Sequence, residues 1–338
     1  MTTSLRTPLC NLLGIDVPIV QAPIGSASTP ELPAAVGEAG ALGMLAVTWI
    51  APEEARRRVD CTRELTARPF GVNLVLSFPV EAQLEACLEA GVPLVSTFWG
   101  EPATVNDRIR TAGALHLHTV SSADEARSAV EAGVDVVVAQ GWEAGGHVAG
   151  SVATLALVPS VVDAVEPVPV VAAGGLGDGR GLAAVLTLGA QAGWFGTRFV
   201  LTEESAAHDT YRRRLLAANE LDAVHTTCFD GGWPDAPHRV LRNETLSEWE
   251  NAGSPSAPAR PGEGQIVAVQ EGREYRRYDD MPPLRGIEGD AEAMALYAGQ
   301  SVAVVRAGGS ARVVVEQLVV QASAALARAD EYLVRPES

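Results

Sequence analysis

Residues 122–147 read SADEARSAVEAGVDVVVAQGWEAGGH, one complete unit of helix, glycine, strand and loop. Ser122 and Glu125 fit a capping box, Ser-x-x-Glu, at the head of the helix. Ala132-Gly133 closes it, because glycine accepts the left-handed conformation that turns the chain toward a strand. Between Asp135 and Gln140 the chain is apolar throughout, as expected for a strand buried on both faces. Beyond Gln140 a glycine-rich loop leads to His147.

The same helix closure recurs at Ala39-Gly40, Ala90-Gly91, Ala112-Gly113 and Leu188-Gly189. Strands follow at Ile19 to Gln21, Leu42 to Ala46, Gly71 to Val75, Leu94 to Phe98, Ala114 to Thr119, Asp135 to Gln140, Pro169 to Ala173 and Gln191 to Gly196. Between them lie helical signals such as Thr29-Pro30, and Val80, Leu84, Cys87 and Leu88 at helical spacing. Eight strands alternating with helices predict an α/β fold, a (β/α)8 TIM barrel. A doubly wound sheet is the alternative architecture, since periodicity does not fix strand order.

After the eighth strand the rhythm stops. A helix from Glu204 to Asn219 is expected, then polar, Pro- and Gly-rich sequence in which NAGSPSAPARPGEG (251–264) reads as a mobile loop. Helices over Asp290 to Ala298 and Ala311 to Tyr332 are expected to return to the barrel. The barrel is thus assigned to residues 10–203 plus 290–333, and a small, loop-rich α+β lid or substrate domain to the insert 204–289.

The 338 residues are 47% hydrophobic but only 5% aromatic, which suits close-packed parallel strands and helices. The formal charge of −17 disfavours nucleic acid and anionic membrane surfaces as partners. Cys10, Cys61, Cys87 and Cys228 form no C-x-x-C pair, so neither a disulfide framework nor a zinc site is expected. The N-terminus shows no secretory pattern. The uncharged stretch between Arg180 and Arg198 is interrupted by glycines and short for a membrane span. A cytoplasmic location is the expectation.

Function in such barrels gathers at the C-terminal strand ends, often with a phosphate site after the seventh and eighth strands. Ala173-Gly174-Gly175-Leu176-Gly177-Asp178-Gly179-Arg180-Gly181 stands after the seventh, and Gly196-Thr197 after the eighth. Their amides can approach an anion closely, although a tight turn that binds nothing would look alike. The dinucleotide fingerprint is absent, because position 180 is arginine. In the loop after the sixth strand His147 is the leading proton-transfer candidate, since a near-neutral imidazole suits that task. His116, His118, His208, His225 and His238 take structural or surface readings. No metal site or G-x-S-x-G elbow is evident.

Together PIVQAPI (18–24), FGVNL (70–74), QGWEAGGHVAG (140–150), VPVVAAGGLGDGRGL (168–182) and GTRF (196–199) resemble the nitronate monooxygenase (2-nitropropane dioxygenase) family. The resemblance covers residues 10–205 well and the rest weakly. It implies a flavoprotein oxidoreductase with one non-covalent FMN. Ala22 and Pro23 would lie by the isoalloxazine, and Asn73, Gln140 and Gly145 would contact the flavin or its ribityl phosphate. Gly174 and Gly175 would hold the phosphate from one side, with Trp194, Phe195, Gly196 and Thr197 on the other. His147 would be the base, or the donor that orients the substrate. The implied reaction oxidises an alkyl nitronate with O2 to a carbonyl compound and nitrite, with no metal. Two departures stand out: Ile24 where many members have methionine, and Val148-Ala149-Gly150 where many have Arg-Gly after the histidine.

The FMN motifs are shared by an NAD(P)H-dependent enoyl-acyl-carrier-protein reductase and by quinone reductases, which form the first alternative. A non-catalytic flavin- or phosphate-binding barrel is the second. Trp233 and His238, in the insert, are candidates for closing over the substrate. The expected partners are a small-molecule substrate and O2, with a homodimer left open.

Overall fold

The computed structural model describes residues 5–333. Eight parallel strands form one sheet in which sequence neighbours are spatial neighbours: β1 (Ile19–Gln21), β2 (Gly43–Ala46), β3 (Phe70–Val75), β4 (Leu94–Phe98), β5 (Leu115–Val120), β6 (Val136–Gln140), β8 (Val170–Ala173) and β9 (Ala192–Phe195). A parallel bridge from Val20 to Leu42 joins β1 to β2, with Gln21 N donating to Leu42 O at 2.8 Å, so the sheet closes. The chain is a (β/α)8 barrel, and the doubly wound alternative falls away. All five closing glycines, 40, 91, 113, 133 and 189, have φ between +72° and +96°.

Side chains of alternate residues sort into two cores. Leu42, Met44, Leu94, Leu117, Val136, Val138 and Val171 fill the barrel interior with Leu9, Cys10 and Leu13 of the helix Pro8–Leu13. That helix plugs the strands' N-terminal end: Thr7 Oγ1 donates to Gln191 O at 2.7 Å and Leu9 N to Gln191 Oε1 at 3.0 Å. Outward-facing Ile19, Val137, Ala139, Val170 and Ala172 meet the surrounding helices. The helix Ala311–Asp330 packs on Gly179–Thr187, where a Cβ on Gly179 would fall 2.3 Å from Leu318 O.

Two helices differ from expectation. The helix expected at Glu204 starts only at Asp209 and ends at Ala217, with His208 as its cap, because Ala206 and Ala207 pair their backbone with Ala27, Arg285 and Leu284 instead. Asp290 to Ala298 is a single 3-10 turn, Ala291–Ala293, followed by extended chain. Ala291, Ala293, Met294, Ala295, Leu296 and Ala298 are all buried, which leaves no polar face for a surface helix. The extended chain instead takes Leu241 N on Leu296 O at 2.7 Å.

Between residues 204 and 289 two small sheets form. In one, β10 (Ala223–Thr226) and β11 (His238–Leu241) are joined by β7 (Gly146–His147), a two-residue strand in the loop after β6. In the other, β12 (Ile266–Gln270) pairs with β13 (Arg273–Arg276) and β14 (Glu288–Gly289). The loop 251–264 is tied down rather than free: Arg260 is buried and pairs with Asp230 and Glu263, and Trp249 Nε1 reaches Pro255 O at 2.9 Å. Among the described residues no helix is long and apolar enough to cross a membrane.

Candidate active site

A cavity of about 420 Å³ opens at the C-terminal ends of the barrel strands, within the size range of small-molecule sites. Ala22 and Pro23 line it from the end of β1, Asn73 from β3, Gln140 from β6, and Gly145 and His147 from the loop beyond. Gly174, Gly175, Trp194, Gly196 and Thr197 line it from β8 and β9. Of the residues singled out in the sequence, Phe195 and His238 do not line it. The Phe195 ring is fully buried on the outer face with Ile19 and Leu182, because neighbouring strand residues point to opposite faces. Its carbonyl still accepts Ala22 N at 2.8 Å.

The turn after β8 depends on glycine. Gly174 and Gly175 have φ of +93° and +72°, and a Cβ on Gly174 would lie 2.7 Å from Gly141 O. Opposite, Thr197 Oγ1 accepts Gly299 N at 3.0 Å. These residues can form an anion cradle at one end of the cavity.

His147 is held by backbone pairing rather than by side-chain bonds. The β7–β11 register places it opposite His238, and Gln140 Nε2 donates to its carbonyl at 3.2 Å. Its Nε2 is shut off from solvent with no partner, and so is Gln140 Oε1. Two orphaned polar atoms at one cavity normally signal a ligand that satisfies them. Burial, with a smaller contribution from His238, pushes His147 down to about 3, so its ring is neutral at ordinary pH.

The other histidines have structural partners. His238 Nδ1 meets Ala236 O at 3.0 Å while its Nε2 accepts Phe229 N at 3.3 Å, which fixes a buried neutral ring that does not line the cavity. Thr97 Oγ1 lies 2.8 Å from His116 Nε2 and 2.7 Å from His118 Nδ1, behind β4 and β5. His208 caps a helix, and His225 lies tilted over Trp142 with ring centroids 4.1 Å apart, although its Nε2 too has no partner. No group of three metal-ligating side chains occurs among the described residues.

Several site residues escaped the sequence reading. Trp49 follows β2 and faces the cavity, while Phe78 and Trp99, after β3 and β4, stand behind it. Trp233, the insert residue that the sequence did mark as a candidate for closing over the substrate, lines the cavity and stacks on the His147 ring at 4.2 Å between centroids. Position directly after a strand end was the available signal for Trp49 and Trp99, whereas Trp233 depends on how the insert folds back. Asp280 also lines the cavity, and burial, reinforced by Asp279, pushes its carboxyl up to about 6.

Comparison with known proteins agrees with this geometry. The family model for nitronate monooxygenase matches residues 6–86 and 77–321. The (3aS,4S,5R,7aS)-5-hydroxy-7a-methyl-1-oxo-octahydro-1H-indene-4-carboxyl-CoA dehydrogenase of Mycobacterium tuberculosis is 37% identical over 280 residues, covering 82% of this chain and 76% of the relative. A probable nitronate monooxygenase of Staphylococcus saprophyticus is 30% identical over 366 residues, covering 94% and 98%. Among solved structures, FabK from Thermotoga maritima superposes with a TM-score of 0.82 at 31% identity, covering 98% of this chain and all of that one. An oxidoreductase barrel whose motifs, cavity and matched length all agree in this way belongs to the nitronate monooxygenase family.

Proposed function

We propose that this enzyme binds FMN in the cavity above the barrel and oxidises alkyl nitronates, or a related small substrate, with O2 to a carbonyl compound and nitrite. The observation that carries the reading is that His147 and Gln140, each with a buried side-chain atom left without a partner (Nε2 and Oε1), line the same cavity as the glycine cradle.

The residues present fit the cofactor. Gly174, Gly175, Gly196 and Thr197 would hold its phosphate, Gln140 would give its Oε1 to a donor on the ring or ribityl chain, and Trp194 would floor the site. FMN, when bound, supplies the electron acceptance and the reaction with oxygen that no side chain here can supply. Asn73, whose Oδ1 accepts Ser96 Oγ at 3.1 Å, and Ala22 and Pro23 would position the ring.

Before substrate arrives His147 is a neutral imidazole. A nitronate is already an anion, so no carbon acid has to be deprotonated. Its charge beside Nε2 would favour the protonated ring and draw a proton onto it. Residues 204–289 act as a lid and substrate domain, contributing Trp233, Arg273 and Asp280 to the cavity, on the barrel of residues 10–203 and 290–333.

The second reading is a nicotinamide-dependent reductase or dehydrogenase on the same site. It is favoured by the likeness to FabK and to the indene-carboxyl-CoA dehydrogenase. Anaerobic mixing of purified yellow protein with ethylnitronate, and separately with NADH and NADPH, separates the two. Bleaching of the flavin by nitronate, with nitrite released on admitting oxygen, is the expected result. Rapid bleaching by a nicotinamide and no response to nitronate would replace it with the second reading.

A further inference from the structure

The cavity is chemically lopsided. The glycine cradle sits between β8 and β9, and across the barrel, above β2, β3 and β4, four aromatic rings gather. Trp233 lies at their centre, 4.7 Å from Trp99, 5.2 Å from Phe78 and 6.0 Å from Trp49 between centroids. The stack ends on His147, so the aromatic surface and the reacting histidine are one continuous wall.

Two details mark this wall as more than packing. Trp49 is 47% exposed although it touches Phe78 edge-on and lines the cavity, so much of its ring is left open at the entrance. Trp99 has φ of +57°, a conformation bulky residues rarely adopt, and its ring is thereby set against Trp233 and His147. Of the charged groups that line the cavity, Arg273 is exposed, while Asp279 and Asp280 lie against the Gly231-Gly232 turn that precedes Trp233, and none of them belongs to the four stacked rings. A short alkyl nitronate at His147 would leave the open face of Trp49 uncovered.

We propose that Trp49 and Trp233, backed by Phe78 and Trp99, form a subsite for a flat, uncharged ring system carried by the substrate beside its reacting carbon. Flat apolar groups gain from offset or edge-on contact with such rings beyond simple burial. The placement of the reacting carbon rests on the role of His147 proposed above; the ring subsite itself does not need it.

The test is calorimetric titration of the flavin-loaded protein with 1-indanone, an uncharged flat ketone, beside acetone as the ringless control. Saturable binding of indanone and none of acetone is expected. Trp49→Ala weakens indanone binding about tenfold, and Trp49→Phe, which keeps a ring, largely retains it. Absence of indanone binding, or equal binding in Trp49→Ala, overturns the proposal. Turnover of ethylnitronate by the unmodified protein is measured alongside: if it fails while indanone binds, the reaction assignment falls and the subsite stands. Where nitronates are oxidised, the preference for the nitronate of phenylnitromethane over ethylnitronate drops about tenfold in Trp49→Ala.

Discussion

Arg239 on β11 donates from Nη2 to the Trp142 carbonyl at 2.7 Å and lies with its guanidinium 5.0 Å from the centre of that residue's indole. The same side chain, almost fully buried, reaches Ala144 O and Ala223 O at 3.2 Å each. One arginine therefore satisfies three carbonyls, two of them in the loop that carries His147. Arg239→Ala strands those carbonyls and is expected to lower stability by about 3 kcal/mol. Arg239→Lys recovers only part, because a point charge cannot serve three divergent acceptors. Urea unfolding of the flavin-loaded protein measures both, and a loss under 1 kcal/mol in the alanine variant would contradict the clamp.

His147→Ala removes the proposed proton-handling group while sparing the glycine cradle. Turnover is expected to fall by about 10² to 10⁴, with flavin absorbance per protein unchanged. Steady-state rates and a visible spectrum on the same sample check this. Undiminished turnover would remove His147 from the chemistry.

Gly174→Ala places a methyl group 2.7 Å from Gly141 O at a left-handed position. The turn must shift, and the variant should purify with little or no flavin while its barrel still folds. Flavin released on denaturation, counted against protein, is the readout; full occupancy would argue that the phosphate end lies elsewhere.

Acid should destabilise the fold earlier than carboxylate titration alone would. Burial holds His116 and His147 at about 3, and His118 and His238 at about 4, whereas in the unfolded chain each titrates near 6.5. Below pH 6.5 the unfolded state binds the extra protons, so stability is full above that value and falls on the way down toward 4. Each histidine can contribute up to about 1.4 kcal/mol per pH unit. Asp280, raised to about 6, acts in the opposite sense, stabilising at low pH and losing its contribution as pH rises through 6. Four groups outweigh one, so urea midpoints should decline from pH 7 to 5. A flat profile would mean that these rings are wetter than their surroundings imply.

Much of this architecture is legible in the residues themselves. Helix-closing glycines and apolar runs locate all eight barrel strands to within a residue or two, because parallel strands buried on both faces leave little compositional freedom. Ser122 does accept Glu125 N at 3.1 Å, as its spacing suggests, although Glu125 returns to Ser121 N rather than to Ser122. The cavity-lining glycines are equally readable, since they sit immediately after strands. Phe195 shows the limit: a motif match reports a neighbourhood, and alternation within the strand decides which side chains enter it. The 290–298 segment misleads because alanine and methionine suit a helix locally, while the surrounding backbone offers β11 a partner. Arg239, and the stacking of Trp233 on His147, were out of reach for another reason. Their roles arise from contacts between distant parts of the chain, which no local pattern encodes.

The pairing of Gly146 and His147 with His238 and Arg239 has a consequence for recombination and design. A loop tethered at its ends alone exchanges readily between related scaffolds. Here two of its residues are rungs in a ladder whose other rail belongs to the insert. A chimera that takes the insert from a relative, or trims it to a minimal barrel, would take away the rail that sets the orientation of His147. Transplanted activity should therefore travel only when both rails come from the same parent.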